Sequence, residues 1–332
     1  IGKQALWDLI QTADVVVENF RPGTLARLGF GWAELHRRFP TMILVSISGY
    51  GQTGPLASRP GYDLIAQGEG GMMSVTGESG RQPVKVGFSI VDIGTGMWAV
   101  IGILTALRAR TQSGIGDHVD VSLLETVVSW QTYLAQAYLL AGEMPHALGS
   151  AHPTIAPYQT FEANDGYFNL AVGNDALWDQ LCTVLDTVCT GNSWYQSQQY
   201  AHNADRVRRR EELVQSLNTI FRQRSRSEWL DLFITAGIPA GSVNTVAETF
   251  QNPQLQARAM LQEVKHPTLG SIPMVKIPIA FTTTETAPIK APPLLGADTA
   301  STFRTLGYTE QQIEMLTPSI KLAVPMDVEE EK

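Results

Sequence analysis

A helix pattern running to Thr12, the apolar strand run Val15-Val-Val17, a short helix signal after Pro22 and a second apolar run from Met42 to Ile47 alternate along the first fifty residues. Strand-length apolar runs separated by helical patterns point to parallel strands buried by crossover helices, an α/β sheet. In open sheets of this kind ligands settle beyond the carboxyl ends of the strands. Those ends read Glu18-Asn-Phe-Arg-Pro-Gly23 and Ser48-Gly-Tyr-Gly-Gln-Thr-Gly-Pro55. Their glycines, prolines and polar groups suit a binding loop and equally suit a plain strand-to-helix turn.

Two further helix patterns, Met97 to Arg110 and roughly Leu123 to Leu140, flank Ser113-Gly-Ile-Gly116 and the strand-like His118-Val-Asp-Val121. The Gly-, Pro- and His-rich stretch Glu143 to Pro157 then reads as a connection between domains. Beyond it, two strand patterns flank the hairpin signal Asn164-Asp-Gly166, and helix patterns cover Ala176 to Leu185, Asp205 to Gln223 and Ser227 to Ala236. From Pro253 the chain is punctuated by proline, with a hairpin-like Val264 to Pro273 and two short helices near Thr299 to Leu306 and Glu310 to Leu316. The expected division is a large domain over 1–144, a smaller α+β domain over 145–245, and a segment over 246–332 that returns to the large domain. Met326 to Lys332 reads as a solvated tail.

The 332 residues are 44% apolar and 17% charged, an ordinary soluble globular composition. A net charge of -8 argues against nucleic-acid or membrane-surface binding through the global field, so an anionic ligand must be held locally. Cys182 and Cys189 are too few for a disulfide framework, and six scattered histidines show no metal spacing, so no metal site is expected. The longest apolar stretch, around Met97 to Leu107, is too short to span a bilayer. The chain opens without Met inside a helix pattern that has no cap before it, which reads as a fragment and leaves cytoplasmic and mitochondrial placement open.

Asp92 is the one carboxylate in the otherwise uncharged run Val86-Gly-Phe-Ser-Ile-Val-Asp-Ile-Gly-Thr-Gly-Met97. A partly buried Asp costs free energy unless its charge is paired or hydrogen-bonded. Two readings fit: an N-cap on the helix that follows, or a carboxylate nucleophile with Gly94 and Gly96 leaving room for backbone or substrate.

Five segments decide between them: Ala13-Asp-Val-Val-Val-Glu-Asn-Phe-Arg-Pro-Gly23, Leu28-Gly-Phe30, Ser48 to Pro55, Gly61-Tyr-Asp-Leu-Ile-Ala-Gln67 and Pro292-Pro-Leu-Leu-Gly296. In this order they resemble the class III CoA-transferase family, which includes formyl-CoA transferase, carnitine CoA-transferase and alpha-methylacyl-CoA racemase. Within it, Gly149-Ser-Ala-His-Pro-Thr-Ile-Ala-Pro-Tyr-Gln-Thr-Phe161 is most similar to the branch that passes CoA between succinyl-CoA and glutarate. The resemblance implies a Rossmann-like large domain, a smaller α+β domain and an interlocked homodimer. It also implies that a first strand and part of the CoA site precede Ile1, so the chain alone is expected to be poorly soluble or inactive.

In this family the residue matching Asp92 is the nucleophile, which takes the acyl group of an acyl-CoA and then CoA itself as an aspartyl thioester. Glycine-containing backbone around Asp92 is expected to help hold the oxyanions. The CoA thioester is a substrate, and no permanently bound cofactor is implied. CoA contacts carry over to Asn19, Phe20, Arg27, Gly61, Tyr62 and Asp63. Arg27 suits a phosphate through its guanidinium fork or is a solvated helix charge, and Asn19 also reads as a turn residue. Racemases of the family carry His at the position of Tyr62. Tyr, whose ordinary pKa as a residue type is about 10, is a poor base at neutral pH, so transfer is expected over racemisation. His152 is a candidate for dicarboxylate recognition or a plain loop residue, and Asp120 and Glu125 read as structural. The alternatives are a racemase-like isomerase and an inactive truncated homologue.

Overall fold

The computed structural model describes residues 2–189, 191 and 193–316, so the tail expected at Met326 to Lys332 lies outside the described residues. Two compact units are present, one from Val15–Val243 and the other from the described parts of Ile1–Asp14 and Asn244–Lys332.

The second of these opens with helix α1 (Gly2–Gln11). The Val15–Val243 unit opens on strand β1 (Val15–Glu18), followed by the short helices α2 (Thr24–Leu28) and α3 (Trp32–Arg38) and by β2 (Ile43–Ser48). Next come α4 (Asp63–Glu69), the long α5 (Ile90–Ser113), β3 (His118–Ser122), α6 (Leu123–Trp130) and α7 (Thr132–Ala141). The three strands lie in chain order and pair in parallel, Val15 opposite Ile43 and Leu44 opposite His118. The α/β architecture expected from the alternation is therefore present. Ile43 and Val45 are buried against Ala99 and Ala106 of α5, and a second cluster joins Ala66, Val91, Leu123 and Val127 beneath the ends of the strands.

Two helix boundaries differ from the sequence reading. α5 begins at Ile90 rather than near Met97, because Gly94 and Gly96 are inside it. At 24 residues it is long and apolar enough by length and composition to cross a membrane, where the apolar stretch alone looked too short, yet it packs on β2 and β3. The expected helix from Leu123 to Leu140 breaks at Gln131, where Thr132 takes φ 39° and the Gln131 amide donates to Gly70 O at 2.5 Å.

The remainder of this unit is an antiparallel sheet backed by helices. β4 (Tyr158–Ala163) and β5 (Gly166–Ala171) turn tightly at Asn164 and Asp165, as the turn residues predicted. The helices α8 (Asp175–Val188), α9 (Asn203–Arg208), α10 (Arg210–Phe221) and α11 (Arg226–Thr235) precede β6 (Ala240–Ser242), which pairs with β5. Its core is aromatic, with Phe161, Phe168, Phe221, Trp229 and Phe233 buried in mutual contact. Arg206 is fully buried there, donating to the carbonyls of Ala156, Tyr200 and Ala201 and to Asp175, with its guanidinium over Trp178.

After Asn244 come α12 (Val246–Phe250), α13 (Pro253–Ala257), the antiparallel hairpin of β7 (Leu261–His266) and β8 (Gly270–Val275), then α14 (Thr299–Thr305) and α15 (Glu310–Leu316). Within this unit the Tyr308 hydroxyl donates to the Asp8 carboxylate of α1.

Candidate active site

A cavity of about 540 Å³ opens at the carboxyl ends of all three parallel strands. Asn19 and Phe20 follow β1, Ile47 to Gly49 close β2, and Leu123 follows β3. The remaining wall is the segment Arg59 to Tyr62 and the first two turns of α5, with Asp92, Thr95 and Gly96. The strand-end rule thus locates the site, and Asn19, Phe20, Gly61, Tyr62 and Asp92 are brought together there.

Local bonds explain how each wall is held. The buried Glu18 accepts from Phe20 N at 2.7 Å, and the Asn19 amide donates to Ile47 O at 2.8 Å, tying the first loop to β2. Gly49 and Gly61 cross in backbone contact: a Cβ on Gly49 would lie 2.8 Å from Gly61 Cα, and one on Gly61 would lie 2.6 Å from Gly49 Cα. Any side chain at either position would force the segments apart. The crossing delivers Tyr62, 75% exposed at the mouth, and then Asp63. Behind the loop, Asp120 accepts from Gln52 N at 2.8 Å and Glu125 accepts from the Ser122 hydroxyl at 2.5 Å, the structural roles the sequence suggested.

Asp92 is not a cap. Ser89 holds the cap position without a side-chain bond, and Asp92 is the third residue of the helix. The free N-H groups of this first turn go instead to Asp63, whose Oδ1 accepts from Val91 N at 2.9 Å and Asp92 N at 3.4 Å. Asp63 Oδ2 accepts from Gln67 Nε2 at 2.6 Å, and Gln67 Oε1 accepts from Val86 N at 2.9 Å. Asp63 is 8% exposed and Gln67 is fully buried, so this pair stands behind the cavity wall. Burial raises the Asp92 carboxyl above its ordinary value, and the neighbouring Asp63 charge adds to the rise.

The two glycines after Asp92 serve different ends. A Cβ on Gly94 would sit 1.9 Å from Trp130 Cη2, so Gly94 lets α6 close against α5, whereas one on Gly96 would meet no atom of the described residues within 4 Å beyond its own stretch of helix and would face the cavity. Both N-H groups lie inside α5 and point along it. They are not the oxyanion donors expected of this backbone. Gly49, Gly61 and Tyr62 border the cavity with N-H groups that donate to no protein acceptor among the described residues.

Arg27 and His152 fall elsewhere. Arg27 donates to Thr24 Oγ1 at 2.8 Å and does not line the cavity. His152 sits between the rings of Tyr133 and Tyr158 and accepts from Thr154 N at 3.2 Å. Two cations that sequence reasoning passed over do line it, Arg21 and Arg59. Arg59 pairs with Glu69 at 2.8 Å and covers the Tyr50 ring, while Arg21 has no side-chain partner among the described residues. Position after β1 could have marked Arg21; nothing in the pattern marked Arg59. No group of His, Cys, Asp and Glu among the described residues could hold a metal ion.

Comparison with known proteins gives this geometry a setting. An acyl-CoA transferase of Fusarium pseudograminearum is 38% identical over 314 residues, covering 94% of this chain and 68% of that protein. Succinate--glutarate CoA-transferase of Agrobacterium fabrum is 37% identical over 303 residues (91% and 75% covered), and the human succinyl-CoA:glutarate CoA-transferase is 32% identical over 321 residues (96% and 72% covered). The crystal structure of a CAIB/BAIF family protein from Brucella suis superposes with a TM-score of 0.82 at 36% identity, covering 92% of this chain and 78% of that one. The profile of CoA-transferase family III matches residues 1–299, and the chain, an enzyme of the transferase class, belongs to that family.

Proposed function

We propose that the protein moves CoA from succinyl-CoA to a second dicarboxylic acid such as glutarate, through an aspartyl-CoA thioester on Asp92. The observation that carries this reading is the placement of Asp92: a carboxylate in the first turn of a helix, lining a cavity at the ends of three parallel strands, together with Arg21 of the loop after β1, which has no side-chain partner among the described residues. The family relatives named for succinate and glutarate favour the acid pair.

The Asp92 carboxylate attacks the thioester carbonyl, forming a mixed anhydride and releasing CoA thiolate. The thiolate attacks the Asp92 carbonyl, giving the aspartyl thioester and expelling the donor acid as its carboxylate. The acceptor carboxylate attacks that thioester and releases the thiolate again, which then takes the acceptor acyl group and frees Asp92. Each step exchanges one acyl bond for another, with no proton to be moved, the advantage of a carboxylate nucleophile. The N-H groups of Gly61 and Tyr62 border the cavity and are the donors we assign to the developing oxyanions. Arg21 and Arg59, rather than Arg27 and His152, are the cations we assign to the anionic parts of the ligands. Tyr62 in place of a basic histidine favours transfer over α-proton exchange. A second copy of the chain, as in the interlocked dimer the family resemblance implies, would cover the outward apolar residues Met97, Trp98, Ile101 and Leu104 of α5, and sedimentation velocity reads whether a dimer forms and is lost in Ile101→Glu.

The test is mass spectrometry of protein incubated with succinyl-CoA and trapped with hydroxylamine. A modified Asp92, and loss of transfer with retained folding in Asp92→Ala, is the expected result. Transfer by a protein whose Asp92 stays unmodified would overturn the mechanism, and solvent deuterium entering a 2-methylacyl-CoA would favour the isomerase.

A further inference from the structure

Asp63 faces backbone, not substrate. It is buried at the start of α4, and its two oxygens are occupied by the N-H groups of Val91 and Asp92 on one side and by Gln67 on the other. Gln67 in turn holds Val86, so one side-chain pair spans both ends of the segment that leads into the nucleophile.

The arrangement matters because an Asp in the first turn of a helix has an alternative. The first N-H groups of a helix are unsatisfied, and a carboxylate three residues in is well placed to fold back on them. An Asp92 bound in that way would be turned from the cavity, with lone pairs already engaged. Asp63 occupies two of those N-H groups first. It also brings a second negative charge close behind Asp92, which opposes the stabilisation of the Asp92 anion by the helix end.

We propose that Asp63, braced by Gln67, is a positioning residue for acylation of Asp92: it denies Asp92 the N-H groups of its own helix and so keeps the reactive carboxylate turned to the cavity. The inference rests on Asp92 being the nucleophile.

The hydrogen-bond polarity of the pair supplies the test. In Asp63→Asn the new amide can still accept from Val91 N and Asp92 N, but its NH2 then meets the Gln67 NH2. Turning the Gln67 amide over only moves the donor conflict to Val86 N. Combining Asp63→Asn with Gln67→Glu restores an acceptor at every donor and keeps the total charge. Single-turnover acylation with succinyl-CoA, read by hydroxylamine trapping, is compared with CoA affinity from equilibrium titration.

Asp63→Asn should acylate about 10- to 100-fold more slowly, the scale of a nucleophile misplaced by an ångström, with CoA affinity unchanged. The double variant should recover most of the rate. A single variant that acylates within twofold of wild type overturns the proposal, as does one whose CoA affinity falls as far as its rate, which would make Asp63 a ligand contact. A folded double variant that remains slow also overturns it, and that arm stands even if the single variant fails to fold. The wild-type control separates the two readings. An active wild type with no label on Asp92 refutes the nucleophile, whereas a labelled wild type with an equally fast Asp63→Asn refutes only the positioning role.

Discussion

Gly94 and Gly96 are two residues apart on one helix, yet alanine at each should have opposite effects on stability. At Gly94 the new Cβ would lie 1.9 Å from Trp130 Cη2 and 2.2 Å from Cζ2. Carbon atoms rest at about 3.5–4.0 Å, so Trp130 and the end of α6 must yield by roughly 1.5–2 Å. Overpacking on this scale costs about 1–3 kcal/mol, and the better helix propensity of alanine returns about 1 kcal/mol. With contacts this short the upper figure applies, leaving Gly94→Ala destabilised by about 2 kcal/mol. A Cβ at Gly96 would meet no atom of the described residues within 4 Å beyond its own stretch of helix, so Gly96→Ala keeps the propensity gain of about 1 kcal/mol. Its methyl instead enters the cavity one turn beyond Asp92 on the same face. Denaturant midpoints should therefore separate the two variants by about 3 kcal/mol, while single-turnover acylation should fall in the more stable one, Gly96→Ala. Equal midpoints would refute the packing account. Wild-type acylation kinetics in Gly96→Ala would refute the assignment of this cavity to the reaction.

The pH profile of acylation should carry the sign of the Asp92 shift. On the proposed mechanism the reactive form is the carboxylate, and burial with the Asp63 charge raises its folded-state pKa. Activity is therefore present above that raised value and lost as pH falls through it, placing the acid limb above the roughly 3.9 of an ordinary Asp. A limb at or below the ordinary value would contradict this. In the aromatic-cored half of the unit, Arg206→Met leaves the carbonyls of Ala156, Tyr200 and Ala201 without their side-chain donor, while the half-exposed Asp175 loses one partner and keeps Asn203 N. A loss of about 3–5 kcal/mol should follow, from buried carbonyl acceptors left unsatisfied at about 1–3 kcal/mol each. An unchanged urea midpoint, with unchanged near-ultraviolet dichroism from the Trp178 stack, would sink that expectation.

What the sequence disclosed was local and periodic. Val15 to Val17, Met42 to Ile47 and His118 to Val121 declared themselves as strands, and the rule that ligands lie past the strand ends then located the loops of Asn19 and Gly49, while Leu123 past the third strand joined them only in the structure. Asn164 and Asp165 fixed the hairpin by turn chemistry alone. The start of α5 was hidden because glycine lowers helix propensity, while the reason for Gly94, the Trp130 ring, is 36 residues away in the sequence. The hold of Asp63 on the α5 amides spans 28 residues and has no spacing signature. Arg27 and His152 carried the right chemistry in the right segments, but their side chains bond to Thr24 and stack between tyrosines. Sequence gives residue type and neighbourhood, and only packing gives direction.

Placing Asp92 in a hydrogen-bonded first turn rather than on a loop has a consequence for how motion is divided during turnover. Its backbone torsions are already spent on α5, so two side-chain torsions are all the freedom the carboxylate retains. Little configurational entropy remains to be lost on reaching a reactive geometry. On the proposed aspartyl mechanism the search for alignment is transferred to the thioester and the incoming acid, and the shape of their approach, more than any movement of Asp92, becomes the basis on which one acid is accepted over another.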